Sequence, residues 1–297
     1  MKNKISILVT LSILIFNINI ISQKERDNYV EAYTVNFESE NFNIIELSRE
    51  GKRVNAKYFA SEMHGNKVPD RYKEFDRSKN VILYTAGTYM DGNRQSVNVK
   101  PVGLTIDNGE VVNGTLSGLD GLVIVYATGG IAVSNIEKGD LSLGGISHKI
   151  DLNIGWHYEE FIDWAKSNRA TVFQTHLLVH DNELNFKLNK QQYANTKHGR
   201  ATRERRFLAI CISDDGDGVA KHIIVQKNHP ENLYNASEKV LNFLKYRLGY
   251  KVYGLLNLDT GYQDVFQYFD SSGKEDPIIV GPVPLSTARN LLVYYFE

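Results

Sequence analysis

The chain has 297 residues, with 34 Lys and Arg against 35 Asp and Glu, and a formal net charge of −1. That balance offers no basic field to nucleic acid or to an anionic membrane surface, and neither is expected as a partner. Cys211 is the one cysteine, so no intramolecular disulfide can form and stability must come from a buried core, which a chain of this length can supply within one domain.

Residues 1–22 read as a signal peptide. Lys2 and Lys4 flank the start of an apolar run from Ile5 to Phe16, and a charged segment opens near Gln23-Lys-Glu25. The run is short for a membrane span, and Asn17 and Asn19 interrupt it, so no stable membrane insertion is expected after cleavage. A secreted or periplasmic location follows. Abundant Lys, Asn and Ile with little Pro point to an AT-rich bacterial genome.

Residues 23–80 are expected to add strands and an irregular stretch to the same domain. Alternation over Tyr29–Phe37 and Phe42–Leu47 predicts a hairpin, and Tyr58-Phe-Ala60 predicts a further strand. Val81–Tyr89 is an apolar strand running into Gly87, followed by a polar loop from Met90 to Lys100. Pro101–Ile106 is closed by Asp107-Asn-Gly109, a strong hairpin signal, and Gly121–Ala127 is the next strand. Tyr158–Ser167 predicts a short helix, and Ala170–Glu183 one strand ending in a turn. Residues 185–205 read as a polar excursion.

Arg206 is expected to open the strand through Ser213, and a turn at Asp214-Asp-Gly-Asp-Gly218 leads into Val219–Gln226. Asn235-Ala-Ser-Glu238 has capping-box spacing, and Val240, Leu241, Leu244 and Leu248 recur at helical intervals up to Gly249. Val252–Leu258 is then a buried strand that ends in Asp259, and Ala288–Phe296 closes the chain. Strands dominate without βαβα alternation, which predicts an α+β single domain on a large mixed or antiparallel sheet with few helices.

Several chemistries are set aside. The sequence lacks a Gly-rich phosphate loop and a nucleophile elbow. Cys211 lies mid-strand as a core residue. His176 and His180 sit four apart, about 13 Å along a strand, too far to share an ion. No metal and no cofactor are expected. What remains is a set of polar residues at strand ends: Thr85, Gln174, His176, Arg206, Asp259 and Arg289. Each has an ordinary structural alternative, from turn-making for Asp259 to ion pairing for the arginines.

That set falls in blocks which resemble phosphodiester glycosidases, domains related to the lysosomal uncovering enzyme that removes N-acetylglucosamine from a sugar phosphodiester. The blocks are Leu83-Tyr-Thr-Ala-Gly-Thr-Tyr89, Pro101-Val-Gly-Leu104, Phe173-Gln-Thr-His176, Arg206-Phe-Leu-Ala-Ile210, Leu256-Asn-Leu-Asp-Thr-Gly261 and Arg289-Asn-Leu-Leu-Val293, in the family's order across residues 81–297. The chain departs from the family at Thr85, where Asn is usual, at His176-Leu177 for Gly-Pro, and at Thr260-Gly-Tyr262 for Gly-Gly-Ser.

The resemblance implies a glycosidase acting on a carbohydrate or sugar-phosphate substrate. It gives catalytic roles to Asp259 and His176, and substrate binding to Thr85, Gln174, Arg206, Arg289 and Asn257. The departures leave open a second reading, a catalytically inactive glycan-binding or surface-assembly protein with the same fold.

Overall fold

The structure is a computed structural model that describes residues 25–61, 67–91, 99–213, 218–261 and 263–297. The expected signal peptide, residues 214–217 of the expected turn and Tyr262 fall outside the described residues.

β-branched and aromatic runs become strands, and every strand pair is antiparallel. They assemble into three principal sheets and one two-stranded ribbon. A seven-stranded sheet runs in the order Val30–Phe37, Glu40–Ser48, Ala220–Glu231, Arg203–Ser213, Tyr250–Leu258, Leu177–His180, Glu183–Leu184. A five-stranded sheet has Ile131–Asn135, Gly121–Val125, Thr171–Thr175, Thr105–Asp107 and Glu110–Asn113. The third, also five-stranded, has Glu275–Asp276, Phe266–Phe269, Asn80–Thr85, Asn290–Phe296 and Val54–Ala60. The class is α+β as expected, with the large sheet divided into three.

One core joins them. Ile45, Leu47, Leu208 and Leu256 of the first sheet, Val123 and Phe173 of the second, and Tyr58, Leu83 and Tyr294 of the third share a single buried cluster. Each sheet then carries a helix on its outer face. Leu233–Asn242 covers the seven-stranded sheet through Ala236 and Val240. Gly155–Ser167 covers the second through Phe161 and Trp164. Lys67–Asp76 covers the third through Val68 and Tyr72. Strands buried on both faces, such as Gly121–Val125 and Asn290–Phe296, therefore read as unbroken apolar runs.

Local turns follow their residues. Asn108 and Gly109 take φ of 52° and 84° in the expected hairpin, and Gly249 ends the last helical segment at φ 69°. The cap of that helix differs from the sequence reading. Asn232, three residues earlier, accepts the Asn235 amide at 2.9 Å, and Glu238 pairs with Lys190 instead. The long strand ending at Glu231 delivers an extended backbone at Asn232, which is where a capping side chain must sit.

Three further expectations change. The 185–205 excursion contains a capped helix, Lys190–Ala194. The following strand begins at Arg203, so Arg206 lies inside it. The Ala170–Glu183 run is two strands in two sheets, Thr171–Thr175 and Leu177–His180, parting at His176.

Candidate active site

The parting at His176 sets the site. Thr175 Oγ1 donates to the Asn257 carbonyl at 2.5 Å, and the Asn257 amide donates to the His176 carbonyl at 3.0 Å. These bonds stitch the two sheets together beside the end of Tyr250–Leu258. Gly121 is needed at the seam, because a Cβ there would lie 2.8 Å from the Thr175 carbonyl oxygen.

The third sheet reaches the same place through the turn after Asn80–Thr85. Asn290 Oδ1 accepts the amides of Gly87 at 2.7 Å and Thr88 at 3.1 Å, and its Nδ2 donates to the Thr88 carbonyl at 3.1 Å. That clamp aims Tyr89 at the seam, where Asn257 Nδ2 donates to its hydroxyl and its ring meets the His176 ring edge-on at 5.7 Å.

Two cavities open side by side there. The smaller, about 160 Å³, is lined by Tyr89, Arg203, Arg205, Asn257, Asp259 and Gln263 among others. The larger, about 810 Å³, shares Tyr89, Arg203 and Arg205 with it and continues past His176, Asp120 and Phe186.

Asp259 ends its strand and is 7% exposed. Its Oδ1 accepts the Gly261 amide at 2.8 Å, so it does make the tight turn that Asp and Gly suggest. Burial raises its carboxyl above the ordinary carboxylate range and the charge of Asp264 adds to this, while the Gly261 amide, Arg206 and Arg203 oppose it. Three polar atoms in or beside the small cavity, Asn257 Oδ1, Gln263 Oε1 and Arg205 Nε, are buried without a hydrogen-bond partner. Buried polar atoms are seldom left unpaired, so these are open valences at a cavity wall.

The residues named from sequence divide cleanly. Asp259, Asn257 and His176 line the cavities. Thr85 is fully buried between Phe266 and Leu292, and its hydroxyl goes to the Ala86 carbonyl. Gln174 is fully buried and spent on backbone: Oε1 accepts from Leu104 at 2.6 Å and Ser117 at 3.0 Å, and Nε2 donates to Leu119 at 2.8 Å.

Arg206 is likewise internal. Its Nη1 lies 2.7 Å from Asp264 Oδ1, its Nε donates to Gln226 at 2.9 Å, and its guanidinium sits 4.4 Å from the Phe266 ring centre. Arg289 is half-buried and lines neither cavity; its neighbour Asn290 does the structural work.

Sequence reasoning passed over Tyr89, Arg203, Arg205 and Asp120. Asp120 holds the seam from the other side, accepting the Leu177 amide at 3.0 Å and Asn185 Nδ2 at 2.6 Å, with His176 Nδ1 3.9 Å away. The signal for Arg203 and Arg205 was strand alternation. Arg205 shares a face with Phe207 and Ala209, toward the outer helix, whereas Arg206 shares one with Leu208 in the central core. Among the described residues, no group of three or more His, Cys, Asp or Glu is placed to hold a metal ion, and no helix is long and apolar enough to cross a membrane.

The arrangement defines an α+β domain with a carboxyl-and-guanidinium cavity at a seam of sheets. No protein-family model and no curated protein matches the chain. Solved structures align with it at low identity. The catalytic domain of zebrafish N-acetylglucosamine-1-phosphodiester alpha-N-acetylglucosaminidase, auto-inhibited by its pro-peptide, aligns over 90% of this chain and 82% of its own at 14% identity, TM-score 0.50. A hypothetical protein from Synechocystis aligns over 90% of this chain and 62% of its own at 10% identity, TM-score 0.48. At 14% identity the likeness to the zebrafish domain is one of fold, and a distant one.

Proposed function

We propose that the protein is an exported hydrolase that cleaves a sugar-1-phosphodiester, with Asp259 as its acid–base carboxyl and Arg203 and Arg205 as the phosphate ligands. The observation that carries this reading is the lining of one small cavity by a buried carboxyl of raised pKa and two guanidinium side chains. Substitution at an anomeric carbon passes through an oxocarbenium-like state, and a carboxyl of raised pKa is a better base toward an attacking water. Water adds to the anomeric carbon and passes a proton to Asp259. The carbon–oxygen bond to phosphate breaks, and the phosphate monoester departs with its charge matched by the arginine forks. Such a leaving group needs less protonation than an alcohol; His176, in the adjoining cavity, is suited to orient it.

The fold relationship to a glycosidase domain supports the reaction class. A second reading, glycan binding without turnover, is favoured by the use of Asp259 Oδ1 in its own turn. The deciding experiment is release of free sugar from N-acetylglucosamine-1-phosphate methyl diester by wild type and Asp259→Asn. Turnover lost in the variant supports hydrolysis. Equal turnover removes Asp259 from the mechanism, and binding without any turnover favours the second reading.

A further inference from the structure

The larger cavity differs in character from the smaller one. Beyond Arg203 and Arg205 its walls include Leu119, Leu177, Leu178, Phe186, Leu188 and Leu233. Phe186 stands at the centre of an aromatic group, 5.3 Å from the Tyr193 ring and 4.7 Å from Tyr234. Leu188, 38% exposed, lines the same cavity at its solvent side.

The polar groups of this cavity largely satisfy one another. Asp120 is taken by the Leu177 amide and Asn185, Asn185 also by Asn135 and the Leu177 carbonyl, and Glu137 by Lys187 at 2.5 Å. Thr196 is taken by the Tyr193 carbonyl and the Gly199 amide. A glycan aglycone carries a hydroxyl on nearly every carbon and needs open donors and acceptors in return. Here the buried polar atoms left without a partner sit in or beside the small cavity, at Asn257, Gln263 and Arg205, of which Arg205 alone also lines the large one, whose walls are chiefly carbon.

We infer that the second ester of the phosphate is an apolar chain, of alkyl or isoprenoid type, lying along Phe186 and Leu188 while the sugar occupies the cavity of Asp259 and the phosphate bridges the two at Arg203 and Arg205. The volumes agree with this division. About 160 Å³ is the scale of one sugar ring, and about 810 Å³ holds a long chain or several isoprene units. Burial of successive methylenes along such a wall supplies affinity in regular increments, and the lining that the two cavities share at Tyr89, Arg203 and Arg205 fixes where the chain must start.

This inference rests on the sugar-phosphodiester reading, and binding separates the two. Methyl phosphate and octyl phosphate, the latter below its micellar concentration, are titrated calorimetrically into the full chain. The expected result is at least about 100-fold tighter binding of the octyl ester. Leu188→Asp, an exposed position that leaves the fold alone, is expected to erase most of that gain and leave methyl phosphate binding unchanged. Equal affinity for the two esters, or a gain that survives Leu188→Asp, overturns the apolar-chain assignment. Turnover of the methyl and octyl diesters of N-acetylglucosamine-1-phosphate is measured alongside. Tight octyl phosphate binding with neither diester cleaved sinks the hydrolase reading while the chain site stands; equal cleavage with equal binding does the reverse.

Discussion

Arg205 and Arg206 are adjacent in sequence and face opposite sides of one strand: Arg205 lines both cavities, and Arg206 is fully buried against Asp264 at 2.7 Å. The same side-chain type therefore does two unrelated jobs one residue apart. Arg205→Gln is expected to weaken phosphate binding at least about tenfold with little change in melting temperature, because a charge-assisted contact to ligand is lost while the internal loss is one long bond, 3.5 Å, to the Ala201 carbonyl. Arg206→Gln leaves Asp264 buried without its cation and is expected to cost about 3–5 kcal/mol. Denaturant titration and calorimetric binding of methyl phosphate on the two variants test the division. Matching profiles would show that it is wrong.

Asp259 also couples function to stability. Its folded-state pKa is raised, so between the unfolded and folded values the native state holds the proton more tightly, and stability falls as pH rises through that window. Above that window the carboxyl is a net cost to the fold. Asp259→Asn keeps an oxygen for the Gly261 amide while removing the charge. It is expected to lower turnover by about 10²–10⁴-fold and to melt at or above wild type at pH 7. A variant that is inactive and also markedly less stable would mean that Asp259 serves the turn alone.

Gln174, to which the resemblance gives a place in substrate binding, is plainly scaffold in the structure. It gathers Leu104, Ser117 and Leu119, and Gly103 at φ 84° gives it room, since a Cβ there would approach its Oε1 to 2.5 Å. Gln174→Leu strands two buried or half-buried amides and a carbonyl, at about 1–3 kcal/mol for each fully buried group. The expected phenotype is a lower melting temperature with an unchanged KM for any diester that is cleaved. A raised KM at full stability would return Gln174 to the binding site.

These cases show which parts of the molecule were legible. The hairpin at Asp107–Gly109, the helix through Val240 and the strand ending at Asp259 rest on neighbours a few residues apart, and a turn or a periodic stripe states its reason locally. The break at His176 does not. Thr171–His180 is buried almost throughout, with Thr, Gln and His spaced among its Val, Phe and Leu, so no change of pattern marks the residue at which it changes partners. The same holds for Asn290: its clamp on Gly87 and Thr88 spans some two hundred positions, and beside it Arg289 was the more conspicuous residue. Opening the strand at Arg206 also leaves Arg203 and Arg205 in the excursion, outside the period-two alternation that puts Arg205 and Arg206 on opposite faces.

His222, held against Tyr294, is expected to make the fold sensitive to acid. His222 is 2% exposed on Ala220–Glu231, with Nδ1 3.0 Å from the Tyr294 hydroxyl of the facing sheet. Burial, helped by the charge of Arg49, pulls its pKa down to about 3. A depressed histidine stays neutral in the native state while the unfolded chain protonates near pH 6.5, so its share of stability is complete above about 6.5. As pH falls below that value the unfolded state takes up a proton that the native state refuses, and stability drops by about 1.4 kcal/mol per unit until the folded pKa is reached. His222→Gln keeps a partner for the Tyr294 hydroxyl and does not titrate. Urea unfolding at pH 7 and pH 5 is expected to show a loss of about 2 kcal/mol in wild type beyond that in the variant. Equal losses in the two proteins would place the acid sensitivity elsewhere and leave His222 as a packing residue of the central core.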